Sequence, residues 1–321
     1  MNHRSLGDTG LHVSEIGFGT WGLGGDSGGA VAYGPASDET SRASLSTAFD
    51  LGVNFYDTAD LYGFGHSEEL LGEMFSRRRD QVIIATKAGF VDAAKQDFSP
   101  AHLRRALEAS LRRLRTDYVD LYQLHSPAVA TLREQPEILA LLAELRASGK
   151  IRAWGVSARS PEEARLAIED FHAPCIQVNF NLTDQRAVTN GLLELCRQRR
   201  VGVIVRTPLC FGFLTGKYKA DNPFAATDHR SRWSPEQLQR WQQANDIFQF
   251  LFEANPSNTP AQIALRFCLS FPAVSTIVPG MLTEAHVHEN TNASALGPLP
   301  PEQLQRAIQT GAANEFFIRR P

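Results

Sequence analysis

The chain has 321 residues, of which 43% are hydrophobic and 21% are charged, as is usual for a globular protein. Its formal net charge of -3 gives no general attraction to nucleic acid, and no apolar stretch reaches the roughly 18 residues of a membrane span. The first residues lack the apolar core of a signal peptide, and the four cysteines contain no C-x-x-C pair. We therefore expect a cytoplasmic protein with reduced cysteines and with neither nucleic acid nor membrane as a partner.

Short β-branched runs alternate with longer amphipathic runs along the chain. Residues 4–17 predict an N-terminal β-hairpin whose turn is the segment GDTG. The β-branched runs predict strands at 14–20, 53–59, 81–89, 118–125, 151–157, 175–180, 201–208 and 274–280. The amphipathic runs predict helices at 38–52, 67–78, 99–114, 132–149, 160–171, 188–200, 282–294 and 301–312, the first of them capped by Asp38.

Strands that alternate with helices in this way build parallel βαβ units. Because the strands are almost continuously apolar, we expect a closed α/β TIM barrel of the (β/α)8 type rather than an open sheet. The chain exceeds the roughly 250 residues of a minimal barrel. The N-terminal hairpin, a long loop from Pro208 onward after the seventh strand and a C-terminal extra helix account for the surplus. Without an internal repeat or a linker, residues 1–321 are expected to form a single domain.

The segment GFGTWG, from Gly17 to Gly22, matches the G-x-G-x-x-G pattern of dinucleotide-binding Rossmann turns. An acidic residue follows at the expected distance in Asp38. The residues after Gly22 are too rich in glycine and proline to open a helix, however, which disfavours a Rossmann fold. The loop can still contact a nucleotide in another fold.

Titratable side chains follow three consecutive predicted strands: Asp57 and Tyr62, then Lys87, then His125. Since the carboxyl ends of barrel strands meet at one face, these side chains are expected to converge there. Carbonyl reduction needs such a set, because hydride addition places negative charge on oxygen. A free phenol, with a pKa of about 10, is a weak acid. An ammonium about 4 Å away, at an effective dielectric constant of about 20, favours the phenolate by about 4 kcal/mol before desolvation losses.

We therefore assign Tyr62 as the general acid and Lys87 with Asp57 as the pair that makes the phenol more acidic. His125, in its neutral form, is expected to donate a hydrogen bond that orients the substrate. Each of these residue types is common in a purely structural role at a strand end. Their occurrence together on adjacent strands favours the catalytic interpretation.

Several motifs occur in the order found in aldo-keto reductases: NFYDTADLYG, IIATK, DYVDLYQLHSP, GKIRAWGVS, IQVNFNL, PLCFGFLTGKY, and VPG with HENTNAS. The chain resembles this family from Leu6 to about Asn292. The resemblance implies a (β/α)8 barrel that binds a nicotinamide dinucleotide in extended form, without a Rossmann fold. It also matches Asp57, Tyr62, Lys87 and His125 to the family's catalytic tetrad.

The same resemblance implies a set of cofactor contacts. Ser157 and Gln177 match residues that bind the nicotinamide carboxamide, and Glu289 and Asn290 match residues that bind adenine. The full set of expected contacts is Gly19, Thr20, Trp21, Asp57, Ser157, Gln177, Arg206, Pro208, Leu209, Gly212, Lys217, Gly280, Glu289 and Asn290.

This sequence departs from the family pattern next to two expected contacts. Ala158 follows Ser157 where many relatives have Asn. Arg206 stands where many relatives place an aromatic ring against the nicotinamide, and a guanidinium can also stack.

A third departure concerns the cofactor phosphate. Met281, Leu282 and Thr283 occupy the positions where relatives often have a basic residue for the 2′-phosphate. We expect NADPH as cofactor, with NADH possible because Leu282 and Thr283 replace that residue. His286 and Lys217 are the candidates to compensate.

The substrate pocket is expected to contain aromatic residues from the long loops: Trp21, Tyr33, Phe90, Phe211 and Trp233. Such a lining favours a neutral aldehyde, ketone or sugar-like carbonyl over a dicarboxylate. We predict no metal site, because two histidines spaced as in H-x-H diverge on a helix and no third ligand is apparent.

The leading hypothesis is an NAD(P)H-dependent oxidoreductase that transfers hydride to a small-molecule aldehyde or ketone, with Tyr62 as proton donor. One alternative is a regulatory subunit that holds the nucleotide with little turnover, as some relatives that bind ion channels do. Another is a lyase that uses Lys87 as a Schiff-base nucleophile. The neighbouring Asp57 makes a neutral lysine less favourable.

Overall fold

Eight parallel strands form a ring in which each strand lies beside the next one in the chain. The computed structural model describes residues 1–25, 32–92, 94–218 and 224–318. The barrel strands are β3 (Phe18–Gly19), β4 (Phe55–Asp57), β5 (Ile83–Ala88), β6 (Val119–His125), β7 (Ile151–Ser157), β8 (Cys175–Asn179), β9 (Gly202–Arg206) and β10 (Val274–Val278). Gly17 N–H donates to Ile277 O (2.8 Å) and Gly19 N–H to Pro279 O (3.0 Å), which joins the last strand to the first. The predicted (β/α)8 barrel is confirmed.

The N-terminal hairpin closes the amino end of the barrel. Its strands are β1 (His3–Ser5) and β2 (His12–Ser14), which pair antiparallel. In the turn between them, Gly7 has a φ of +54°, and a Cβ atom there would lie 2.3 Å from Gly202 N at the start of β9. The hairpin residues Leu6, Leu11 and Val13 are buried in one cluster with side chains from the barrel interior. The hairpin therefore caps the interior core on the side opposite the strand C-termini.

Helices surround the barrel. They are α1 (Asp38–Asp50), α2 (His66–Phe75), α3 (Pro100–Leu114), α4 (Val129–Glu134), α5 (Glu137–Ala147), α6 (Pro161–Phe171), α7 (Arg186–Thr189), α8 (Leu192–Arg199), α9 (Pro235–Gln242), α10 (Ala244–Ile247), α11 (Gln249–Ala254), α12 (Pro260–Leu269), α13 (Glu284–Leu296) and α14 (Pro301–Ala312). Helices α9 to α12 lie between β9 and β10, as expected for a long insertion after the seventh barrel strand. Helix α14 is the expected C-terminal extra helix. Among the described residues, none of the helices is long and apolar enough to cross a membrane.

Three helix predictions need correction. The helix predicted over 188–200 consists of two helices, α7 and α8, separated at Gly191, which has a φ of +76°. The side chain of Ser37, not Asp38, caps α1 by accepting a hydrogen bond from Thr40 N–H, and Asp38 is the first helical residue. The helix predicted over 132–149 consists of two helices, α4 and α5. Pro136 separates them because it has no N–H to donate and disfavours helical geometry in the residue before it.

Alternation along the strands decides which side chains reach the site. On β6, Leu121 belongs to the interior core, whereas Tyr122 and Leu124 pack outward against the helices. Gln123 and His125 therefore face the interior with Leu121. On β5 the same rule places Lys87 inside with Ala85. On β5 and β6 the inward-facing polar side chains therefore stand toward the carboxyl end of the barrel.

Candidate active site

A cavity of about 520 Å³ opens at the carboxyl end of the barrel strands. Its walls come from the loops that follow most of the strands and from the start of α13. This volume lies in the range of small-molecule and cofactor sites. Among the described residues, no group of three or more His, Cys, Asp or Glu side chains is arranged to hold a metal ion.

The four residues of the predicted tetrad meet at the floor of this cavity. Lys87 Nζ donates hydrogen bonds to Asp57 Oδ2 (2.7 Å), Thr58 O (2.8 Å) and the Tyr62 hydroxyl (3.1 Å). The imidazole of His125 lies edge to face with the Tyr62 ring, with the ring centroids 5.9 Å apart. Asp57, Tyr62 and His125 line the cavity, and Lys87 lies beneath them, fully buried.

Asp57 and Lys87 form a buried ion pair. Burial alone would lower the pKa of Lys87. The carboxylate of Asp57 and the hydrogen bond to Tyr62 outweigh this effect of burial and raise the pKa of Lys87 above its ordinary value. Asp57 Oδ1 accepts further hydrogen bonds from Gln177 Nε2 (2.8 Å) and Gln123 Nε2 (3.2 Å). Both oxygens of the carboxylate are therefore bonded, and the lysine is kept charged.

His125 is held neutral. Burial, together with the positive charges of Lys87 and Arg206, lowers the pKa of His125 well below its ordinary value. Its Nδ1 is buried and no described group bonds to it. Gln96 Nε2 donates to the backbone oxygens of His125 (2.9 Å) and Ser126 (3.1 Å), which fixes the end of β6.

The loop that carries Tyr62 is fixed by a close contact between backbones. Tyr62 N–H donates to Ala59 O (3.1 Å), and a 3-10 turn follows over Tyr62–Gly65. Gly63 has a φ of +60°, and a Cβ atom there would lie 2.4 Å from Gly24 O in the loop after β3. Only glycine permits both this conformation and this approach. Phe64 also adopts a positive φ of 50°, and its ring is exposed.

Most of the predicted cofactor residues border the same cavity. These are Gly19, Thr20, Trp21, Asp57, Gln177, Arg206, Pro208, Leu209, Gly212, Lys217, Gly280, Glu289 and Asn290. Ser157 does not reach the cavity wall but donates a hydrogen bond from its hydroxyl to Gln177 Oε1 (3.3 Å). Lys217 Nζ lies 3.8 Å from Glu289 Oε2.

Arg206 brings a positive charge into the cavity wall. Its Nη2 donates to Ala158 O (2.8 Å), and its Nε is buried without a partner among the described residues. No described carboxylate lies within 4 Å of the guanidinium. Burial lowers the pKa of Arg206, but a guanidinium remains charged at any physiological pH.

Four of the five predicted substrate residues line the cavity: Trp21, Tyr33, Phe90 and Phe211. Trp21 and Tyr33 form an edge-to-face pair with centroids 5.2 Å apart. Phe90 packs edge to face against the His125 ring at 4.9 Å. Trp233 does not border the cavity. Its indole packs behind Phe211, with centroids 6.0 Å apart.

Sequence reasoning missed several polar residues of the site, among them Gln123 and Arg230. Gln123, which bonds Asp57, could have been found from strand alternation, because it stands two residues before His125 on β6. Arg230 lines the cavity with its guanidinium 4.9 Å from the centroid of the Tyr33 ring and an ion pair to Asp228 (2.6 Å). It lies in the long insertion, where no periodicity indicates which residues turn inward.

Comparisons with known proteins agree with this geometry. The model of the Aldo/keto reductase family matches residues 15–310. The chain is 31% identical to the aldo-keto reductase yakc of Schizosaccharomyces pombe, whose name carries NADP(+), over 88% of this chain and 84% of the relative. It is 31% identical to the NADH-specific methylglyoxal reductase of Escherichia coli, over 91% and 93%. The solved glycerol dehydrogenase AKR11B4 of Gluconobacter oxydans superposes with a TM-score of 0.80 at 28% identity, covering 99% of this chain and 98% of that one. Since the family match extends over most of its length, the chain belongs to the aldo/keto reductase family of oxidoreductases.

Proposed function

We propose that this chain is a carbonyl reductase that reduces an aldehyde or ketone with a nicotinamide dinucleotide, NADPH in the first instance, and with Tyr62 as proton donor. The observation that carries the proposal is the position of Lys87 Nζ, 3.1 Å from the Tyr62 oxygen and 2.7 Å from Asp57 Oδ2. A cation this close to a phenol stabilises the phenolate that proton transfer leaves behind.

The dinucleotide, when bound, supplies the hydride, and the residues of this chain supply the proton and the orientation. As negative charge develops on the carbonyl oxygen, Tyr62 transfers its proton to that oxygen. Lys87 stabilises the resulting phenolate, and Asp57 keeps Lys87 charged. The neutral His125 donates a hydrogen bond to the same carbonyl oxygen, and this bond positions the substrate carbonyl beside the phenol of Tyr62.

The residues that line the cavity support binding of a dinucleotide. The amide of Gln177, which bonds Asp57, and the unpartnered Nε of Arg206 are polar groups that could bind the carboxamide of a nicotinamide. Glu289 and Asn290 offer acceptors and donors on α13 for a base. In this proposal Ser157 supports Gln177. The backbone and side chains that would lie along the rest of the cofactor are Gly19, Thr20, Trp21, Pro208, Leu209, Gly212, Lys217 and Gly280.

The aromatic wall supports a neutral carbonyl substrate. Trp21, Tyr33, Phe90 and Phe211 offer apolar faces, and the guanidinium of Arg230 beside Tyr33 is paired with Asp228. The names of two similar proteins, a methylglyoxal reductase and a glycerol dehydrogenase, refer to small oxygenated molecules. We therefore infer small aldehydes, ketones or sugar-like carbonyls as the substrate class.

A direct assay tests the proposed function. Protein mixed with NADPH and an aromatic aldehyde is expected to consume NADPH with a kcat in the usual range of about 1–10³ per second. The loss of NADPH absorbance measures this rate. NADPH that binds but is not consumed with any aldehyde, ketone or sugar of a panel would favour a regulatory subunit. A borohydride-trapped adduct on Lys87 would favour a Schiff-base lyase, against which the charged state of Lys87 argues.

We expect only a weak preference for NADPH over NADH. Leu282 lines the cavity without a charge, and the Thr283 hydroxyl is engaged as the cap of α13, where it accepts from His286 N–H. Burial and the nearby Lys217 lower the pKa of His286, so its ring is neutral at pH 7. Lys217 already faces Glu289. Dissociation constants from fluorescence titration should therefore differ by less than about tenfold.

The variant Leu282→Arg provides the matched comparison. A guanidinium at this position is expected to tighten NADPH binding by about tenfold and to leave NADH binding unchanged, because only NADPH carries the 2′-phosphate. A hundredfold preference for NADPH in the unmodified protein would contradict the prediction.

A further inference from the structure

Three buried hydroxyl groups lie behind the tetrad, and the mechanism above does not use them. They belong to Thr20 directly after β3, Thr58 directly after β4 and Ser67 on α2, and all three residues are fully buried. Ser67 Oγ lies 2.9 Å from Thr58 Oγ1 and 2.6 Å from Thr20 Oγ1. Thr20 Oγ1 in turn donates to Asp57 O (3.0 Å). The hydroxyls thus form a continuous chain that ends on the backbone of a tetrad residue.

The direction of this chain follows from its protons, since each hydroxyl has one to donate. A carbonyl oxygen only accepts, so the Thr20 hydroxyl donates to Asp57 O. Ser67 then donates to Thr20 Oγ1, with Thr20 O at 3.3 Å as a longer second acceptor, and Thr58 donates to Ser67 Oγ. In the reverse direction the Thr58 proton would have no acceptor among the described residues. Because a carbonyl has no proton to pass on, the chain holds positions and does not relay protons.

The chain acts on the tetrad through the carbonyl of Thr58. An ammonium group has three protons to donate. Lys87 Nζ donates them to Asp57 Oδ2 (2.7 Å), Thr58 O (2.8 Å) and the Tyr62 oxygen (3.1 Å). Since the nitrogen is tetrahedral, the positions of two acceptors determine where the third proton points. The carboxylate of Asp57 and the carbonyl of Thr58 therefore direct the remaining proton at the phenol.

Ser67 holds Thr58 where strand pairing ends. Thr58 N–H still donates to Ala85 O (2.8 Å) on β5, but Thr58 is the first residue after β4, and the chain turns there into the loop that carries Tyr62. Ser67 is the second residue of α2, and its hydroxyl bonds the Thr58 side chain from the side of that helix. One side chain of α2 therefore joins the loop after β3 to the loop after β4.

We propose that Ser67 is a positioning residue for the proton transfer from Tyr62. By bonding both Thr20 and Thr58, it fixes the carbonyl of Thr58, and that carbonyl directs the Lys87 ammonium. This inference rests on the proposed reductase function. Without Ser67, Thr20 keeps its backbone hydrogen bond to Asp57 O (3.0 Å), so the cavity wall beside it is retained. Ser67 therefore affects the rate of proton transfer rather than the affinity for aldehyde or dinucleotide.

The kinetics of Ser67→Ala test this inference. Alanine removes only the hydroxyl, which leaves the Thr58 proton without its acceptor. With a saturating aldehyde and NADPH, kcat is expected to fall by roughly 10- to 10²-fold, as for a small misplacement of reacting groups. KM for the aldehyde and Kd for NADPH should stay within about twofold. Ser44→Ala is the matched control, because Ser44 is fully buried in α1 and donates to Thr40 O (2.9 Å); its kcat should be unchanged.

Variants of Thr58, at the other end of the same bond, separate positioning from a loss of packing. Thr58→Ser keeps the hydroxyl and should retain most of kcat. Thr58→Val keeps the branched shape without the hydroxyl and should lower kcat as Ser67→Ala does. The double variant Ser67→Ala with Thr58→Val should be no slower than the slower single variant, because both changes remove one bond.

Thermal unfolding provides a readout that does not depend on activity. Ser67→Ala and Thr58→Val each leave a buried hydroxyl without its partner, and each is expected to lower Tm by about 2–4 °C. The double variant removes both partners, so its loss of Tm should be smaller than the sum of the two single losses. Additive losses would show that the two hydroxyls share no bond and would overturn the inference.

The measurements separate the possible failures. If the unmodified protein consumes no NADPH with any carbonyl of the panel, the proposed function fails, and the inference fails with it. If the unmodified protein is active but Ser67→Ala retains more than about half of its kcat, only the inference is overturned. The same holds if Thr58→Ser is as slow as Thr58→Val, because the hydroxyl would then not be the group that matters.

Discussion

The variant Tyr62→Phe is expected to lower kcat for carbonyl reduction by about 10³-fold, the middle of the range for removing a general acid. The phenol oxygen is the proton-bearing atom that Lys87 Nζ contacts at 3.1 Å, and phenylalanine keeps the ring but removes that oxygen. The Asp57–Lys87 ion pair does not depend on the hydroxyl. Affinity for NADPH should therefore stay within about twofold. Steady-state kinetics and fluorescence titration measure the two quantities on the same preparation.

Tyr118→Phe is a matched control for Tyr62→Phe. Tyr118 precedes β6 at the amino end of the barrel, where its ring lies between the guanidinium groups of Arg79 and Arg152. Deleting its hydroxyl should leave kcat unchanged. A Tyr62→Phe protein that retained more than about a tenth of the original rate would show that another group donates the proton.

The barrel, and the meeting of Asp57, Tyr62, Lys87 and His125 at one of its ends, could be predicted from the sequence for the same physical reason. Parallel barrel strands start at one end and finish at the other, so a polar residue at the end of an apolar run must reach the carboxyl face. Lys87 and His125 stand at such ends, on neighbouring strands whose register brings Lys87 opposite Gln123, two residues before His125. A local sequence pattern was sufficient to predict which side chains meet, because parallel strand pairing places the ends of strands that are distant in the sequence at one face of the barrel.

Other parts of the site depend on contacts that no local pattern encodes. Trp233 was predicted to contact substrate, but it packs behind Phe211, because the path of the long insertion decides which aromatic faces turn inward. Arg230 reaches the cavity through its ion pair with Asp228 in the same insertion. The path of an irregular segment and the pairing of its charged side chains are set by tertiary contacts, so the sequence pattern alone does not predict them.

Replacing Lys87 with methionine is expected to affect both activity and stability. The ammonium is fully buried, and Asp57 is almost so, with a side-chain exposure of 4%. Methionine fills a similar volume without a charge, which leaves the Asp57 carboxylate with the amides of Gln123 and Gln177 as its remaining side-chain donors. Breaking a buried ion pair from one side typically costs about 3–5 kcal/mol of unfolding free energy. Urea denaturation measures this loss, and kcat is expected to fall by about 10²-fold or more.

The double variant Asp57→Asn with Lys87→Met separates these two effects. Without the carboxylate no unpaired charge remains in the core, so most of the lost unfolding free energy should return. The rate should not return, because the phenolate of Tyr62 would still lack a cation to stabilise it. Recovery of both stability and kcat in the double variant would mean that Lys87 acts only by neutralising Asp57. If stability recovers but kcat does not, the positive charge of Lys87 is itself required for the phenol of Tyr62 to act as proton donor.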